Sequence, residues 1–292
     1  MFFDLINNCY DYGARFYDPA LGRFHTQDRF SEKYFSLSNY QYGANNPIRF
    51  IDVNGDSLWI SYSGNDILYQ NGSLYNKDGT SYVGKGVKTD KNGNVTGYKG
   101  FLGQAVSALG TISGTAEGGA MVAELQSSAN NFTIVKSSSN EFVSDNQTAS
   151  FANIPEIQAV SGNTTGSNGS GGTIYFNPNS STSGFNTAGN INRPSYVGLA
   201  HEMFHGRDAN QGVLYYGNSY TNPITGVNYQ ATQQGLEKSE WRAVYYENAL
   251  RGQAGLALRT HYGLQQMQNG SFLPTGPRLL DVNNNPVNYI VR

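Results

Sequence analysis

The most informative segment of the chain reads Leu199-Ala200-His201-Glu202-Met203-Phe204-His205-Gly206. It contains two histidines four positions apart and a glutamate directly after the first, in the pattern H-E-x-x-H. Residues i and i+4 lie on one face of a helix, so both imidazoles can point at a single tetrahedral zinc ion. Glu202 lies beside them and can act as the general base toward a water on that ion. The segment therefore predicts a helix that carries His201 and His205 as metal ligands.

Two interpretations of this segment compete. The histidines could be ordinary core residues of an amphipathic helix, in which Met203 and Phe204 pack inward. However, a chance H-E-x-x-H match in a chain of this length has a probability on the order of 1%. The dipeptide Arg193-Pro194 upstream also suits the first turn of a helix. Bound zinc lowers the pKa of water toward ~7 and polarises a carbonyl, which suits peptide-bond hydrolysis. The pattern therefore favours a metal-dependent hydrolase.

A catalytic zinc site needs a third protein ligand and one position open to water. A metzincin has a glycine three residues and a histidine six residues after the second histidine of the pattern. Those positions hold Asp208 and Gln211 here, so that class is excluded. The G-T-x-x-D element of an aspzincin is also missing downstream. The remaining arrangement is that of the gluzincins, which take a glutamate from a following helix.

A second helix that can supply this glutamate is predicted over residues 236–251. Glu240 is the first candidate for the third ligand, because Glu240-Trp241-Arg242-Ala243 matches the E-x-x-A in which several gluzincins carry it. Glu247 lies seven residues further along the same face and is the second candidate, or it could orient a histidine through a hydrogen bond. Either glutamate could instead be a solvated helix carboxylate. His261 is the third candidate for a ligand.

The composition restricts the possible functions. Charged residues make up only 14% of the 292 residues, against a typical ~25%, while aromatic residues reach 13%, which excludes wholesale disorder. The net charge of −2 gives no basic face for nucleic acid. No segment approaches the ~20 apolar residues of a membrane span, and the first six residues lack the basic start of a signal peptide. Cys9 is a single cysteine, so we expect no internal disulfide.

Turn signals and periodicity divide the rest of the chain. Asn-Gly and Asp-Gly dipeptides suit two-residue hairpin turns, so residues 56–100 are predicted to form a small antiparallel β-meander that acts as a linker. Residues 101–129 have helical periodicity. The segment 136–172, rich in Ser, Asn, Gly and Thr, is predicted to be a flexible loop. The strand predicted at 173–176 would run beside the H-E-x-x-H helix and offer an edge to an extended substrate.

The first 55 residues carry a specific pattern. Its elements are Tyr10-Asp11-Tyr12-Gly13-Ala14-Arg15-Phe16-Tyr17-Asp18-Pro19, Gly22-Arg23-Phe24 and Asn39-Tyr40-Gln41-Tyr42-Gly43-Ala44-Asn45-Asn46-Pro47-Ile48-Arg49-Phe50-Ile51-Asp52-Val53-Asn54-Gly55. This segment resembles the core that closes RHS-repeat proteins, the large β-cage toxins of bacteria. The resemblance implies that a toxin domain follows the D-P-x-G element, which reads Asp52-Val53-Asn54-Gly55 here, with Val in place of Pro. In some members of the family, autoproteolysis at this element releases the cage.

A second resemblance covers residues 173–262. It rests on Thr173-Ile174-Tyr175-Phe176-Asn177-Pro178, Arg193-Pro194, the H-E-x-x-H helix, Glu247-Asn248 with Arg251, and Gly255-Leu256-Ala257-Leu258-Arg259 followed by Tyr262. This block resembles the NleD-like metallopeptidases of the M91 type, which are secreted bacterial effectors. The resemblance implies a zinc endopeptidase whose relatives act on proteins of a target cell. Arg259 and Tyr262 could then stabilise the oxyanion that forms during attack on an amide, or could form an arginine–carboxylate pair and an aromatic core contact.

Together these observations predict an α+β protein in three parts. Residues 1–55 are the end of an RHS core, residues 56–100 the meander, and residues 101–292 a zincin-like metallopeptidase domain of the gluzincin type with a small sheet. The predicted function is that of a Zn2+-dependent metalloprotease, the effector of an RHS polymorphic toxin. It would be secreted or delivered into a rival or host cell to cleave a protein there, with a cognate immunity protein as a partner. The alternative is a non-catalytic binding module in which zinc only braces the fold.

Overall fold

The computed structural model describes residues 2–4, 9–11, 16–18, 21, 23–26, 58–162 and 166–288. Four short strands lie near the start of the chain: Phe2–Asp4 (β1), Cys9–Asp11 (β2), Phe16–Asp18 (β3) and Arg23–Phe24 (β4). They pair antiparallel in chain order. The remainder of the RHS-like segment, including Asp52-Val53-Asn54-Gly55, lies outside the described residues, so the RHS core stays a prediction.

Residues 58–98 form five strands. Their bounds are Leu58–Tyr62 (β5), Asn65–Gln70 (β6), Ser73–Tyr75 (β7), Val87–Thr89 (β8) and Val95–Tyr98 (β9). Antiparallel pairing joins β5 to β6, β6 to β7 and β8 to β9. Asn71 and Gly72 connect β6 to β7 with positive φ angles of 48° and 82°, which Asn and Gly tolerate at low cost. The antiparallel hairpins predicted from the turn dipeptides are therefore present.

The next segment alternates helices and strands. Its elements are Gly100–Ser113 (α1), Ala116–Gln126 (α2), Phe132–Lys136 (β10), Glu141–Ser144 (β11), Gln147–Phe151 (α3) and Pro155–Ser161 (α4). The helical region predicted at 101–129 is divided between α1 and α2, because the Thr115 hydroxyl accepts a hydrogen bond from the Gly118 N–H and caps a new helix. The prediction of a flexible loop over 136–172 is wrong. Local hydrogen bonds such as that from the Ala149 N–H to the Asn146 side chain start helices within this polar segment.

The last part of the described chain contains the two longest helices. Its elements are Gly172–Phe176 (β12), Ser195–Asn210 (α5), Tyr220–Thr221 (β13), Asn228–Tyr229 (β14), Thr232–Gln233 (β15), Leu236–Glu237 (β16), Lys238–Gln253 (α6), His261–Gln266 (β17) and Phe272–Arg278 (β18). The strands from β13 to β18 form three successive antiparallel hairpins. The helix predicted around the H-E-x-x-H pattern is α5, which begins directly after Pro194, and the second predicted helix is α6.

The largest sheet among the described residues has six strands, in the order β11-β12-β10-β5-β6-β7. Strand β10 pairs parallel with both β12 and β5, and the other neighbours are antiparallel. Strands β5 to β7 thus share a sheet with β10 and β12, which the interpretation of 56–100 as a linker did not foresee. The domain boundary at residue 100 stays a prediction.

The prediction that the strand at 173–176 offers an edge to a substrate is wrong. Strand β12 lies between β11 and β10, so its backbone hydrogen-bonding groups are engaged on both sides. The edge of the sheet on this side is β11, which comes from the segment that was predicted to be a loop. An extended peptide can pair only with a free edge.

The main core lies between the sheet and helices α1, α2, α5 and α6. Helix α5 contacts α1, α2, α6, β11 and β12, and its residues 197–209 are all buried. This mixed architecture, with six helices and several small sheets among the described residues, confirms the predicted α+β class. Within the described ranges, no helix has the length and apolar character that crossing a membrane requires.

Candidate metal centre

Helix α5 buries polar and charged side chains in the middle of the protein. These are His201, Glu202, His205, Arg207 and Asp208. Burial of such groups costs free energy unless they are paired. Two of them are paired away from the histidines: Arg207 donates to Glu117 at 2.8 Å, and Arg242 donates to both carboxylate oxygens of Asp208 at 2.6 and 2.8 Å. The two histidines instead face helix α6.

Three side chains converge where α5 and α6 meet. The His201 Nε2 atom lies 3.1 Å from one carboxylate oxygen of Glu240, and the His205 Nε2 atom lies 3.5 Å from the other. One ligand atom from each of the three residues lies within 4.8 Å of the others. Zinc–nitrogen and zinc–oxygen bonds of about 2.0–2.1 Å in a tetrahedral site place ligand atoms about 3.3 Å apart. The imidazole and carboxylate donors and their spacing therefore fit a zinc ion.

Glu247 occupies a different place, behind His201. Its carboxylate lies 2.9 Å from His201 Nδ1, on the side of the ring opposite the Glu240 contact. Arg251 donates to Glu247 at 2.7 Å and Arg259 approaches it at 3.4 Å, and the Glu247 side chain has no exposed surface. This geometry allows Glu247 to accept a hydrogen bond from the Nδ1–H group and so to fix the tautomer and orientation of the ring.

The charges of this cluster shift its pKa values in opposite directions. Burial alone would lower the pKa of His201, but its hydrogen bonds with Glu240 and Glu247 outweigh burial and raise the pKa to about 10. Burial would also lower the pKa of His205, but the charge of Glu240 and its hydrogen bond outweigh burial and raise that pKa. The pKa of Glu240 and that of Glu247 are held well below the ordinary value, against the effect of burial, by the histidines and the arginines respectively. Both carboxylates are therefore ionised.

Glu202 is buried next to the three converging side chains. Burial raises its pKa above the ordinary value, while the positive charges of His201 and His205 act in the other direction. Glu240 and Arg193 are its further electrostatic neighbours. A carboxylate in this setting is close to the candidate metal-binding cluster and is not one of its three members.

The structure also brings Arg259 and Tyr262 to this region. The Tyr262 side chain packs against the buried cluster of Leu236, Trp241, Val244 and Leu279, and burial followed by the charge of nearby Glu240 raises its pKa. The Arg259 guanidinium lies on Glu247, donates to the Tyr262 carbonyl at 3.0 Å and sits 4.5 Å from the centre of the Tyr262 ring. His261, the third candidate ligand, instead contacts the Thr260 hydroxyl at 3.0 Å and is not part of the cluster.

Sequence reasoning assigned no part in the site to two further residues, Asn248 and Arg193. Asn248 is buried, and its side-chain amide forms hydrogen bonds with the backbone N–H and carbonyl of Arg259. Arg193 donates to the Ser180 hydroxyl at 2.9 Å, and its buried Nε atom has no hydrogen-bond partner among the described residues. Both occur in the short motifs Glu247-Asn248 and Arg193-Pro194, which were the only sequence signal for them.

Metal-dependent hydrolases use the groups that meet here. These are two histidines one helical turn apart, a glutamate from a second helix and a further glutamate directly after the first histidine. The arrangement is typical of metal-dependent peptidases as a class.

Comparison with known families gives a more particular assignment. The Peptidase_M91 model, described as an effector protein, matches residues 89–262. This is more than half of the chain, and the chain therefore belongs to the Peptidase_M91 family. No curated protein and no solved structure matches it. The resemblance inferred from residues 173–262 is thereby confirmed, and the chain is a member of a peptidase family of effector proteins.

Proposed function

We propose that this chain is a zinc-dependent endopeptidase of the gluzincin type, with His201, His205 and Glu240 as the metal ligands. The observation that carries the proposal is the convergence of these three donors from two helices, with one ligand atom from each within 4.8 Å of the others. Glu202, the remaining member of the H-E-x-x-H pattern, is buried beside them. Membership of a peptidase family supports the hydrolysis of peptide bonds as the reaction.

Each polar group of the site has a proposed task. Zinc, when bound, would polarise the scissile carbonyl and make water a better nucleophile near neutral pH. Glu202 would take a proton from the attacking water and deliver it to the leaving amine. The Tyr262 hydroxyl, which is close enough to Glu240 for that charge to raise its pKa, would donate a hydrogen bond to the developing oxyanion. Glu247 would hold His201 through Nδ1, which leaves Nε2 free for the metal.

Arg259 has a more indirect part in this proposal. Its two terminal guanidinium nitrogens are engaged with Glu247 and with the Tyr262 carbonyl, whereas its buried Nε atom has no hydrogen-bond partner among the described residues. These contacts favour a role in orienting Glu247 and Tyr262 over direct contact with a substrate oxyanion. The arginine–carboxylate interpretation of Arg259 therefore fits the geometry better than the oxyanion interpretation.

The biological setting that we propose is that of a delivered toxin. The family is one of effector proteins, and residues 10–55 resemble the end of an RHS core. Together these support an RHS polymorphic toxin whose peptidase cleaves a protein inside a rival or host cell, and whose producer carries a cognate immunity protein.

Metal content and a single substitution test the catalytic proposal. The purified chain should contain about one equivalent of zinc, as a single three-ligand site requires, and His205→Ala should lose it. Glu202→Gln should retain the zinc and lower kcat by about 10²–10⁴-fold, the usual contribution of a general base. The matched control is Glu237→Gln, an exposed glutamate at the start of α6, which should change neither quantity.

The activity readout is cleavage of a fluorogenic peptide library and of target-cell lysate, followed by identification of the cut sites. Zinc-loaded protein that cleaves nothing, with Glu202→Gln indistinguishable from the wild type, would contradict catalysis and favour the non-catalytic binding module. Growth arrest on expression inside a bacterial or eukaryotic cell, lost in Glu202→Gln, would support the toxin setting.

A further inference from the structure

Asn248 makes an unusual pair of contacts from the middle of α6. Its Oδ1 atom accepts a hydrogen bond from the Arg259 N–H at 2.7 Å, and its Nδ2 atom donates to the Arg259 carbonyl at 3.0 Å. A single side-chain amide thus satisfies both backbone polar groups of one residue, in the manner of a neighbouring β-strand. Both groups are buried, and a buried peptide group left without partners is costly. Asn248 therefore fixes the position of the chain at residue 259.

The backbone segment that Asn248 holds, which begins at Arg259, continues to Tyr262 beside the candidate metal centre. Three residues after Arg259 lies Tyr262, whose side chain packs against the buried cluster that contains Leu236 and Trp241, close enough to Glu240 for that charge to raise its pKa. Arg259 reinforces this short connection, because its guanidinium contacts the Tyr262 carbonyl and ring and also the Glu247 carboxylate. The position of Tyr262 is thus linked to Asn248 on α6 through Arg259, whose backbone bonds Asn248 and whose side chain contacts Tyr262.

The opposite side of the same segment is closed by a second stretch of backbone. The Phe185 carbonyl accepts a hydrogen bond from the Thr260 N–H at 2.7 Å. A side-chain carbon at Gly184 would lie only 2.0 Å from the His261 carbonyl oxygen and 2.8 Å from that of Tyr262. Residues 259–262 are therefore held between α6 and residues 184–185, with little room to shift.

From this geometry we propose that Asn248 is a positioning residue, which places the Tyr262 hydroxyl at the metal centre by holding the backbone of Arg259. Adjacent residues of α6 then serve two different parts of the site. Glu247 orients a metal ligand, whereas Asn248 orients the group that meets the substrate. The inference rests on the proposed peptidase function, since the role of Tyr262 is defined by it.

A double-mutant cycle with Tyr262 is the direct test. Tyr262→Phe should lower kcat by about 10²-fold, as loss of one oxyanion donor does, and Asn248→Leu by about 10–100-fold through misplacement of that donor. If Asn248 acts through Tyr262, the double variant should be no worse than the more severe single variant. Zinc affinity should be unchanged in Asn248→Leu, because the Asn248 side chain bonds the Arg259 backbone and neither a proposed ligand nor Glu247. Additive losses in the cycle, or a loss of zinc in Asn248→Leu, would overturn the proposal.

A control variant and a milder variant distinguish a loss of Tyr262 positioning from a general loss of stability. Leu250→Ala removes a fully buried side chain from the same helix but from a different core cluster than the one against which Tyr262 packs, and should lower the melting temperature while sparing kcat. Asn248→Asp keeps the acceptor for the Arg259 N–H but loses the donor to its carbonyl, so its kcat should fall between those of the wild type and Asn248→Leu. If Asn248→Leu does not fold, Asn248→Asp is combined with Tyr262→Phe instead. Equal kcat losses in Leu250→Ala and the Asn248 variants would reject a positioning role.

A measurement on zinc-free protein keeps this test independent of catalysis. With 3-fluorotyrosine in place of Tyr262, the fluorine resonance should be single and sharp in the wild type, and shifted or broadened in Asn248→Leu but not in Leu250→Ala. An unchanged resonance in Asn248→Leu would overturn the proposal even in active protein. A changed resonance in a protein that cleaves nothing would leave the positioning contact intact and refute only the peptidase function.

Discussion

Glu240 and Glu247 lie about two turns apart on α6, and each contacts one nitrogen of His201. Glu240 has 21% of its side chain exposed and faces the Nε2 atoms of both histidines. Glu247 has none exposed and faces the Nδ1 atom of one histidine together with two arginines. Two glutamates on the same helical face and with the same histidine neighbour thus differ in exposure and in the permanent positive charges around them.

The difference shows how a metal ligand can be told from the residue that supports it. The negative charge of Glu247 is already balanced by Arg251 and Arg259, so a metal would gain little from it. Glu240 has no arginine or lysine paired with it among the described residues, and its positive partners are the two histidines. A zinc ion between these three groups would replace the histidine protons as the positive partner of Glu240.

The largest effect that separates the two glutamates is expected from Glu240→Ala. Loss of one of three protein ligands should lower zinc affinity by more than the about 10–100-fold that is typical for a hydrogen-bond partner of a ligand, and hydrolysis should fall to background. Titration with a competing chelator measures the affinity. If Glu240→Ala still held zinc tightly while Glu247→Ala did not, the two roles would have to be exchanged.

A smaller effect on the metal is expected from Glu247→Gln. The amide can still contact His201 but no longer fixes its tautomer as a carboxylate does, so zinc affinity should fall by about 10–100-fold. The zinc-free protein should also lose about 3–5 kcal/mol of unfolding free energy, because Arg251 and Arg259 become buried charges without a counterion. Urea denaturation of the zinc-free form measures this loss. A variant of full stability with unchanged zinc affinity would contradict both contacts.

Asp208→Asn separates stability from metal binding on the same two helices. Its pair with Arg242 joins α5 to α6 as a buried ion pair, and breaking such a pair typically costs about 3–5 kcal/mol. Neither residue contacts a histidine in the described structure, so zinc affinity should stay at the wild-type value. Parallel urea and chelator titrations check this prediction. A drop in affinity equal to that of Glu247→Gln would mean that general loosening of the helix pair explains both variants.

The smallest effect is expected from Glu237→Gln. This glutamate is exposed at the beginning of α6, three residues before Glu240, and surface substitutions of this kind usually change stability by less than about 0.5 kcal/mol. Zinc affinity, stability and kcat should all match the wild type. A measurable loss of zinc would show that the metal site extends further along α6 than the described contacts indicate.

The sequence allowed part of the site to be predicted because that part depends on local spacing. The i and i+4 positions of His201 and His205 give one helical face whatever the rest of the fold does. The choice between Glu240 and Glu247 stayed open, since both lie on one face of α6 and only the packing of α6 against α5 distinguishes them. Asn248 gave no chemical signal, because its role comes from a contact with a residue that follows the end of its helix.

The sheet was harder to predict for a related reason. The pairing of β10 with β5 places Ile134 beside Ile60, a contact between distant parts of the chain that no local pattern reveals. Strand β11 has only four residues in a polar segment, and its pairing with β12 turned a predicted edge into an interior strand. Hairpins such as that of β6 and β7 were predictable, because Asn71 and Gly72 determine their turn locally.

The central place of β5 in the sheet has a practical consequence for cutting the chain. A fragment trimmed to the family match, residues 89–262, would lack β5, β6 and β7, half of the six strands. It would leave the backbone of β10 open along one side and uncover apolar residues that pack under α1. A shortened form that keeps the whole sheet must therefore begin at or before Leu58, and we expect limited digestion of the folded protein to spare strands β5, β6, β7 and β10 together.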